Sequence, residues 1–233
     1  GKEGKPVILG VIPARLNSTR FPSKIIFPLN GKPVIEHVYE KAIQSKLLSK
    51  VVVAIDSEKT KKLINCSNIE MTSNKHQSGT DRVAEVSKNY NCDIVVNIQG
   101  DEPGIDPNLI DQLIKLFDDP KVEMASVAST DLHESDFSND NVVKVNLDND
   151  NNAISFVRNN IDSNQTYFRH IGIYAFRKKT LNLFTSLNQS ENEKIHSLEQ
   201  LRALDNNIAI KLLISDFNHR SIDTKEDLKN YEN

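Results

Sequence analysis

The chain has 233 residues, 29 Lys and Arg against 32 Asp and Glu, a net charge of −3, 38% hydrophobic residues, two Cys and no Trp. This composition supplies a full core at the length of one domain, or one domain with a flap, and excludes a strongly basic nucleic-acid binder. Lys outnumbers Arg 21 to 8 and only eight Gly are present, so the places where Arg and Gly do occur are informative. Cys66 and Cys92 show neither a disulfide framework nor metal-ligand spacing, which fits a reducing cytoplasm. No run approaches the roughly 18 apolar residues that span a bilayer. Val7–Ile12, behind Lys2 and Lys5, is too short for a secretory leader, and an Arg-bearing loop stands where a cleavage site belongs. Gly1–Lys5 stand outside the fold pattern.

In chain order, Val7–Pro13, Val51–Asp56 and Asp93–Gln99 read as buried strands, short β-branched runs bounded by turn chemistry. Between them the spacing predicts helices over Val34–Ser45 and Thr80–Lys88, the second opened by a Ser-Gly-Thr cap sequence. Pro107–Leu116 starts with Pro at a first helical position, and Met124–Ser129 is a further strand. This alternation predicts an α/β fold: a mostly parallel central sheet with flanking helices, right-handed connections, and ligands outside the strands' carboxyl ends. The acidic segment Asp131–Asn141 reads as a loop into strands at Val142–Leu147, Ala153–Val157 and Arg169–Arg177. The first two pair as a hairpin through Asn149–Asn152. Helices over Lys178–Ser186 and His196–Leu204, a strand near Ile208–Ile214 and a closing helix from Thr224 complete the chain.

Two segments carry chemistry. Pro13-Ala-Arg15-Leu-Asn-Ser18-Thr-Arg20-Phe-Pro-Ser-Lys24 follows the first strand directly and concentrates two Arg, a Lys and hydroxyl groups. Basic side chains and loop amides at a strand's carboxyl end suit a triphosphate, although no Gly-Lys-Ser/Thr makes this a Walker loop. Ile94-Val-Val-Asn-Ile-Gln99-Gly100-Asp101-Glu102-Pro103 runs a buried strand into two carboxylates. Opposite a triphosphate loop, Asp101 and secondarily Glu102 fit a Mg²⁺ ion, which takes few protein carboxylates and keeps phosphate oxygens and water. An ordinary strand-to-turn exit is the alternative.

Together with Asn30-Gly-Lys-Pro33, His76-Gln-Ser-Gly-Thr-Asp-Arg82, Ser155-Phe-Val-Arg158, Arg169-His-Ile-Gly-Ile-Tyr174, Leu198-Glu-Gln-Leu-Arg202 and Ile222-Asp-Thr-Lys-Glu-Asp-Leu228, these segments resemble the 3-deoxy-manno-octulosonate (Kdo) cytidylyltransferase family, across nearly the whole chain after Lys5. The resemblance implies a nucleotide-diphospho-sugar transferase-like, Rossmann-like single domain over 6–233. Residues 6–130 would form a nucleotide-binding half, and 131–233 a smaller strand and helix region for sugar binding and dimer contact. It implies a cytoplasmic, Mg²⁺-dependent homodimer, neither nucleic-acid-binding nor membrane-bound, that joins CMP from CTP to Kdo for lipopolysaccharide biosynthesis and releases pyrophosphate. Arg15, Ser18, Arg20 and Lys24 would hold the triphosphate, with Ala14, Asp56, Gln99 and Gly100 nearby. Arg15, Lys24, Asp101 and Asp223 would be catalytic, and Asp101 and Asp223 would ligate the metal. Cytosine would be read at Ala54, Gln77, Ser78, Gly79 and Arg82. The acidic sugar would lie against Gln99, Arg158, Arg169, His170, Tyr174, Glu199 and Gln200.

Local alternatives stand beside several of these roles. Asp223 is also good helix-capping sequence, a task that Thr224 takes if Asp223 binds metal. Asp81 and Arg82 also suit the opening of the Thr80 helix, and Tyr174 also suits a buried strand position. Two departures from the family pattern occur. Ser23-Lys24-Ile25 replaces Gly-Lys-Pro, and Asn159–Thr166 is shorter and lacks the family's Ile-Pro and aromatic, which leaves an 8-amino relative of Kdo open as substrate. Sialic-type acids are the other substrate alternative, and a non-catalytic nucleotide-binding protein is the alternative of a different class.

Overall fold

The computed structural model describes residues 5–16 and 23–232. These form two compact units, one from the residues up to Asp111 together with those from His219 onward, the other from Gln112 to Asn218.

The first unit opens with β1 (Ile8–Ala14), a short hairpin of β2 (Pro28–Leu29) and β3 (Lys32–Pro33), and α1 (Val34–Ala42). β4 (Lys50–Ile55), α2 (Glu58–Leu63), β5 (Ile69–Met71), α3 (Gly79–Ser87) and β6 (Ile94–Asn97) follow. Its strands lie in the order β6-β1-β4-β5, all parallel. β1, β4 and β6 are buried nearly end to end, as continuous Val/Ile runs require when both sheet faces are covered. Because the strands are parallel, Arg15, Asp56, Thr72 and the Ile98–Asp101 turn all leave from one edge of the sheet. α4 (Pro107–Lys115) carries Asp111, which accepts from Ser45 Oγ at 2.5 Å and from the Lys46 and Leu47 amides at 3.1 Å, fixing the turn after α1.

The second unit contains β7 (Met124–Ser129), β8 (Lys144–Leu147), β9 (Ala153–Val157), β10 (Phe168–Arg177), α5 (Lys178–Ser186), α6 (Glu191–His196), α7 (Leu201–Asp205) and β11 (Ile210–Ser215). Only β11 and β7 are parallel here; β7–β10, β10–β8 and the expected β8–β9 hairpin are antiparallel. The parallel character expected from the sequence is therefore concentrated in the first unit. α8 (Lys225–Tyr231) closes the chain and returns to that unit, where Ile222 and Leu228 pack with Leu29 and Val34. Among the described residues no helix is long and apolar enough to cross a membrane.

Of the helix expected over His196–Leu204 only the end from Leu201 is helical, as α7, and α6 stops at His196, where that helix was expected to begin. Ser197 adopts a left-handed conformation (φ 53°) and ends α6, and α7 starts at Leu201. Arg202 holds the corner: its Nε and Nη2 donate to the two carboxylate oxygens of Glu193 at 2.9 and 2.7 Å, with both side chains buried. Removing one member of such a pair strands the other charge inside, at a cost of about 3–5 kcal/mol. Glu193→Ala is therefore expected to lower the unfolding free energy by about that amount in urea denaturation. A loss below about 1 kcal/mol would place the corner's stability elsewhere.

Candidate active site

The first strand delivers Ala14 buried and Arg15 exposed, and Arg15 makes no hydrogen bond or ion pair with another described residue. Ser18 and Arg20 lie outside the described residues. The loop is closed at its base, where the Ser23 amide donates to the Leu16 carbonyl at 3.0 Å. Ser23 stands in the left-handed region at φ 60°, the conformation that Gly adopts at no steric cost. Ser23 thus takes a Gly-type backbone, and Lys24 follows it in a 3₁₀ turn.

The β6 exit reaches the same place. A Cβ on Gly100 would come 3.1 Å from Ile35 Cδ1 and 3.3 Å from the Pro13 carbonyl oxygen, so a bare backbone brings Asp101 alongside the end of β1 without displacing either. The Ile222 amide donates to the Asp101 carbonyl at 2.8 Å, which sets Asp223 beside Asp101 across 122 positions of sequence (223 − 101). Lys24 Nζ donates to Asp101 Oδ2 at 2.9 Å and lies 3.8 Å from Asp223 Oδ1. Burial holds the Asp101 carboxyl above its ordinary range against the opposing pull of Lys24, and the charges of Asp223 and Glu102 push the same way as burial.

Asp223 does not cap α8. Thr224 Oγ1 accepts from the Asp227 amide at 3.2 Å, and Asp227 Oδ2 accepts from the Asp223 and Thr224 amides at 3.0 Å. This capping box leaves the Asp223 carboxylate facing Lys24. Glu102, the secondary metal candidate, is corrected to a structural role. It is 3% exposed, accepts from Tyr231 Oη at 2.9 Å and lies 2.7 Å from His219 Nδ1. The Arg220 carbonyl lies against the same Tyr231 hydroxyl and shares its single proton with Glu102, and the Arg220 guanidinium stacks on its ring at 4.5 Å. Burial and the Glu102 carboxylate push the Tyr231 hydroxyl upward, so it remains a donor. The C-terminal segment that carries Asp223 is thereby latched beside Asp101.

Two carboxylates with a cation already between them form a donor set that suits a hard divalent ion retaining water and phosphate oxygens. Among the described residues no three His, Cys, Asp or Glu side chains converge as a protein cage. A Mg²⁺ ion thus fits at Asp101 and Asp223 only as one completed by substrate.

At the next strand ends, Asp56 Oδ1 accepts from the Leu16 amide at 3.2 Å, and Arg82 Nη2 lies 3.6 Å from Asp56 Oδ2. Arg82, 4% exposed, also donates through Nη1 to Thr72 Oγ1 at 2.5 Å and to the Ser73 carbonyl at 3.0 Å. It ties the first loop to the segment before α3. Glu85 holds that segment from the same helix, accepting from the Ser73 amide at 3.1 Å with His76 Nε2 at 2.6 Å. Ser78 caps α3 by accepting from the Asp81 amide, Gly79 lets the helix start against Pro13, and Gln77 is exposed. Ala54 is enclosed within β4 and presents no exposed surface.

Gln99 is half-buried in the first unit, whereas the remaining sugar-site candidates belong to the second. Arg158 donates to the carbonyls of His196 (3.0 Å), Ser197 (3.0 Å) and Asp140 (2.9 Å). Arg169 donates to the Asp131 carbonyl and to Asp136 Oδ2, both at 2.8 Å. His170 and Tyr174 share a face of β10 with ring centroids 5.5 Å apart, while Ile171 and Ile173 are buried on the other. Ser126 Oγ contacts the Ile171 and Ile173 carbonyls, which only accept, so its proton goes to them and it accepts from His170 Nε2–H at 2.9 Å. Burial and the Glu199 carboxylate push the Tyr174 hydroxyl upward. Gln200 is buried at the start of α7. Lys144, missed from the sequence, is fully buried and donates to the carbonyls of Asn139 (2.8 Å) and Arg158; burial lowers its pKa. Its signal was a Lys inside the apolar run Val142–Val145.

Arg82, Arg158, Arg169 and Arg202 engage protein acceptors, and so do Arg177, on the carbonyls of Phe117, Asp119 and Val122, and Arg220, on Asn230. Scarce arginines therefore mark structural forks in this fold.

With this geometry in place, similarity to known proteins becomes specific. A family model described as cytidylyltransferase matches residues 9–212. The 3-deoxy-manno-octulosonate cytidylyltransferase of Thermodesulfovibrio yellowstonii is 41% identical over 244 residues, covering 96% of each chain. The 8-amino-3,8-dideoxy-manno-octulosonate cytidylyltransferase of Shewanella frigidimarina is 38% identical, covering 95% of this chain and 96% of its own. A solved CMP:2-keto-3-deoxy-manno-octonic acid synthetase complexed with CTP superposes with TM-score 0.90 at 33% identity, covering 96% of each chain. Fold and match together define the class as cytidylyltransferase. Within that class, the chain belongs to the 3-deoxy-manno-octulosonate cytidylyltransferase family.

Arg82→Met separates holding the loops from touching a ligand. Loss of its buried bonds is expected to lower the unfolding free energy by about 3 kcal/mol in urea. An unchanged midpoint would show that the buried guanidinium does not hold these loops.

Proposed function

We propose that the chain transfers CMP from CTP to the anomeric hydroxyl of 3-deoxy-manno-octulosonate, giving CMP-Kdo and pyrophosphate. The observation that carries this reading is the Asp101–Asp223 pair opposed by Lys24 beside the basic first loop, in a chain with full-length similarity to Kdo cytidylyltransferases. The hydroxyl oxygen attacks the α-phosphorus and forms the new P–O bond. The bond from that phosphorus to the α–β bridging oxygen breaks, the hydroxyl proton leaves to solvent, and pyrophosphate departs.

Arg15, Ser18, Arg20 and Lys24 hold the triphosphate, and bidentate or point-charge contacts to the β- and γ-phosphates line up the leaving group. Asp101 and Asp223 would hold Mg²⁺, which when bound supplies Lewis-acid polarisation of the phosphoryl oxygens. Gln77, Ser78 and Gly79 lie on the segment braced by Arg82 and Glu85, where exposed short polar groups and backbone suit the edge of cytosine. Gln99, Arg158, Arg169, His170, Tyr174, Glu199 and Gln200 are assigned to the sugar. Arg158 and Arg169 act there largely by shaping the loops they brace. A homodimer belongs to the same reading, and light scattering at about twice the 26.3 kDa chain mass checks it.

A second substrate has specific support: similarity to 8-amino-Kdo enzymes reaches 38% identity, and the short Asn159–Thr166 segment departs from the family pattern. Pyrophosphate release with CTP, Mg²⁺ and Kdo decides the matter, with 8-amino-Kdo and sialic-type acids as competitors. Release is expected with Kdo; turnover confined to another ketosugar would sink the Kdo assignment. Asp101→Asn is expected to lower kcat at least about 100-fold, the scale of losing one key electrostatic stabiliser. Near-normal turnover in that variant would remove Asp101 from the metal role.

A further inference from the structure

The position of Lys24 is unusual for a residue assigned to a triphosphate. Its ammonium is turned onto the two carboxylates, 2.9 Å from Asp101 Oδ2 and 3.8 Å from Asp223 Oδ1. Its side chain is only 17% exposed, and that of Asp101 only 21%. The carboxylates belong to segments fixed by other means: Gly100 against Pro13, the Ile222 amide on the Asp101 carbonyl, and the Thr224–Asp227 capping box. Lys24 reaches them as a point charge on a flexible four-carbon stem that leaves a 3₁₀ turn. The cluster carries one positive and two negative charges. A divalent ion at the same oxygens would compete with the ammonium for them, and the two cations would repel.

We propose that Lys24 is an exchangeable resident cation: in the free enzyme it lies against the Asp101–Asp223 pair and offsets one of its two negative charges, and it leaves for the nucleotide's phosphates when a divalent ion takes those carboxylates. This rests on the proposed cytidylyltransferase reaction. Lys24 then has two sequential partners. It keeps two adjacent carboxylates together before substrate arrives, and it adds positive charge to the triphosphate afterwards. The exchange also makes the free protein a weak metal binder, so that metal enters with nucleotide rather than before it.

The test measures Mn²⁺ binding to the nucleotide-free protein by loss of the free-ion paramagnetic resonance signal. Lys24→Met is expected to bind Mn²⁺ at least about tenfold more tightly than wild type, equivalent to about 1.4 kcal/mol, while its kcat falls. Lys24→Arg keeps a competing charge and is expected to retain weak binding. Adding Asp223→Asn to Lys24→Met is expected to abolish the gain. Lys24→Gln replaces the Met variant if the latter does not fold. Equal or weaker Mn²⁺ binding in the neutral variant overturns the proposal, as does a gain of the same size in Lys24→Arg. Failure of wild-type pyrophosphate release overturns the reaction instead, so the two failures are distinguishable.

Discussion

Two carboxylates placed side by side at the edge of a sheet repel one another unless a cation lies between them, and the first unit is arranged around that requirement. β6 delivers Asp101, and the C-terminal segment delivers Asp223. The loop after β1 supplies the ammonium of Lys24. Each arrives by a backbone device rather than by side-chain preference. Gly100 lets β6 exit against Pro13, Ser23 turns through a left-handed conformation just before Lys24, and the Ile222 amide is anchored on the Asp101 carbonyl. The parallel sheet is what makes this convergence possible, because it sends all its strand ends to one edge.

Around this centre, charged groups that look alike in sequence divide by partner. Asp101 faces a cation, whereas its neighbour Glu102 is buried against Tyr231 and His219 and fastens the C-terminal segment. Arg15 is exposed without a partner among the described residues, whereas Arg82 is enclosed and braces two loops. Buried forks of this kind are costly to desolvate and specific in geometry, which makes them good loop holders and poor candidates for mobile ligand contacts. A few partly exposed groups thus stand on a frame of fully engaged ones.

Much of the frame was legible in the sequence. β1, β4 and β6 are dense β-branched runs, β7 and α5 match their predicted bounds, and Thr224 caps α8 and leaves the Asp223 carboxylate free of that task. α2 and β5 escaped because Glu58–Leu63 is charged with little apolar face and Ile69–Met71 has only three residues. The α6–α7 break escaped because helical spacing continues through Ser197, whose left-handed φ no Gly or Asn announces. At the site, motifs placed Asp101, Asp223 and Lys24 in one region. No spacing rule shows that Lys24 faces the carboxylates, or that Glu102, one residue from Asp101, turns away from them. Those facts depend on contacts across 77 positions for Lys24 and 129 for Tyr231, which only the fold creates.

If Asp101 and Asp223 act as one site, removing either should disable it, and removing both should do little further harm. A double-mutant cycle of Asp101→Asn and Asp223→Asn, read as kcat/KM for CTP with Kdo and Mg²⁺, measures this directly. A shared site predicts that the double variant is nearly as active as the weaker single variant. A double variant whose loss equals the product of the two single losses would mean that the carboxylates act independently, and would contradict the shared cation site at the centre of the structure.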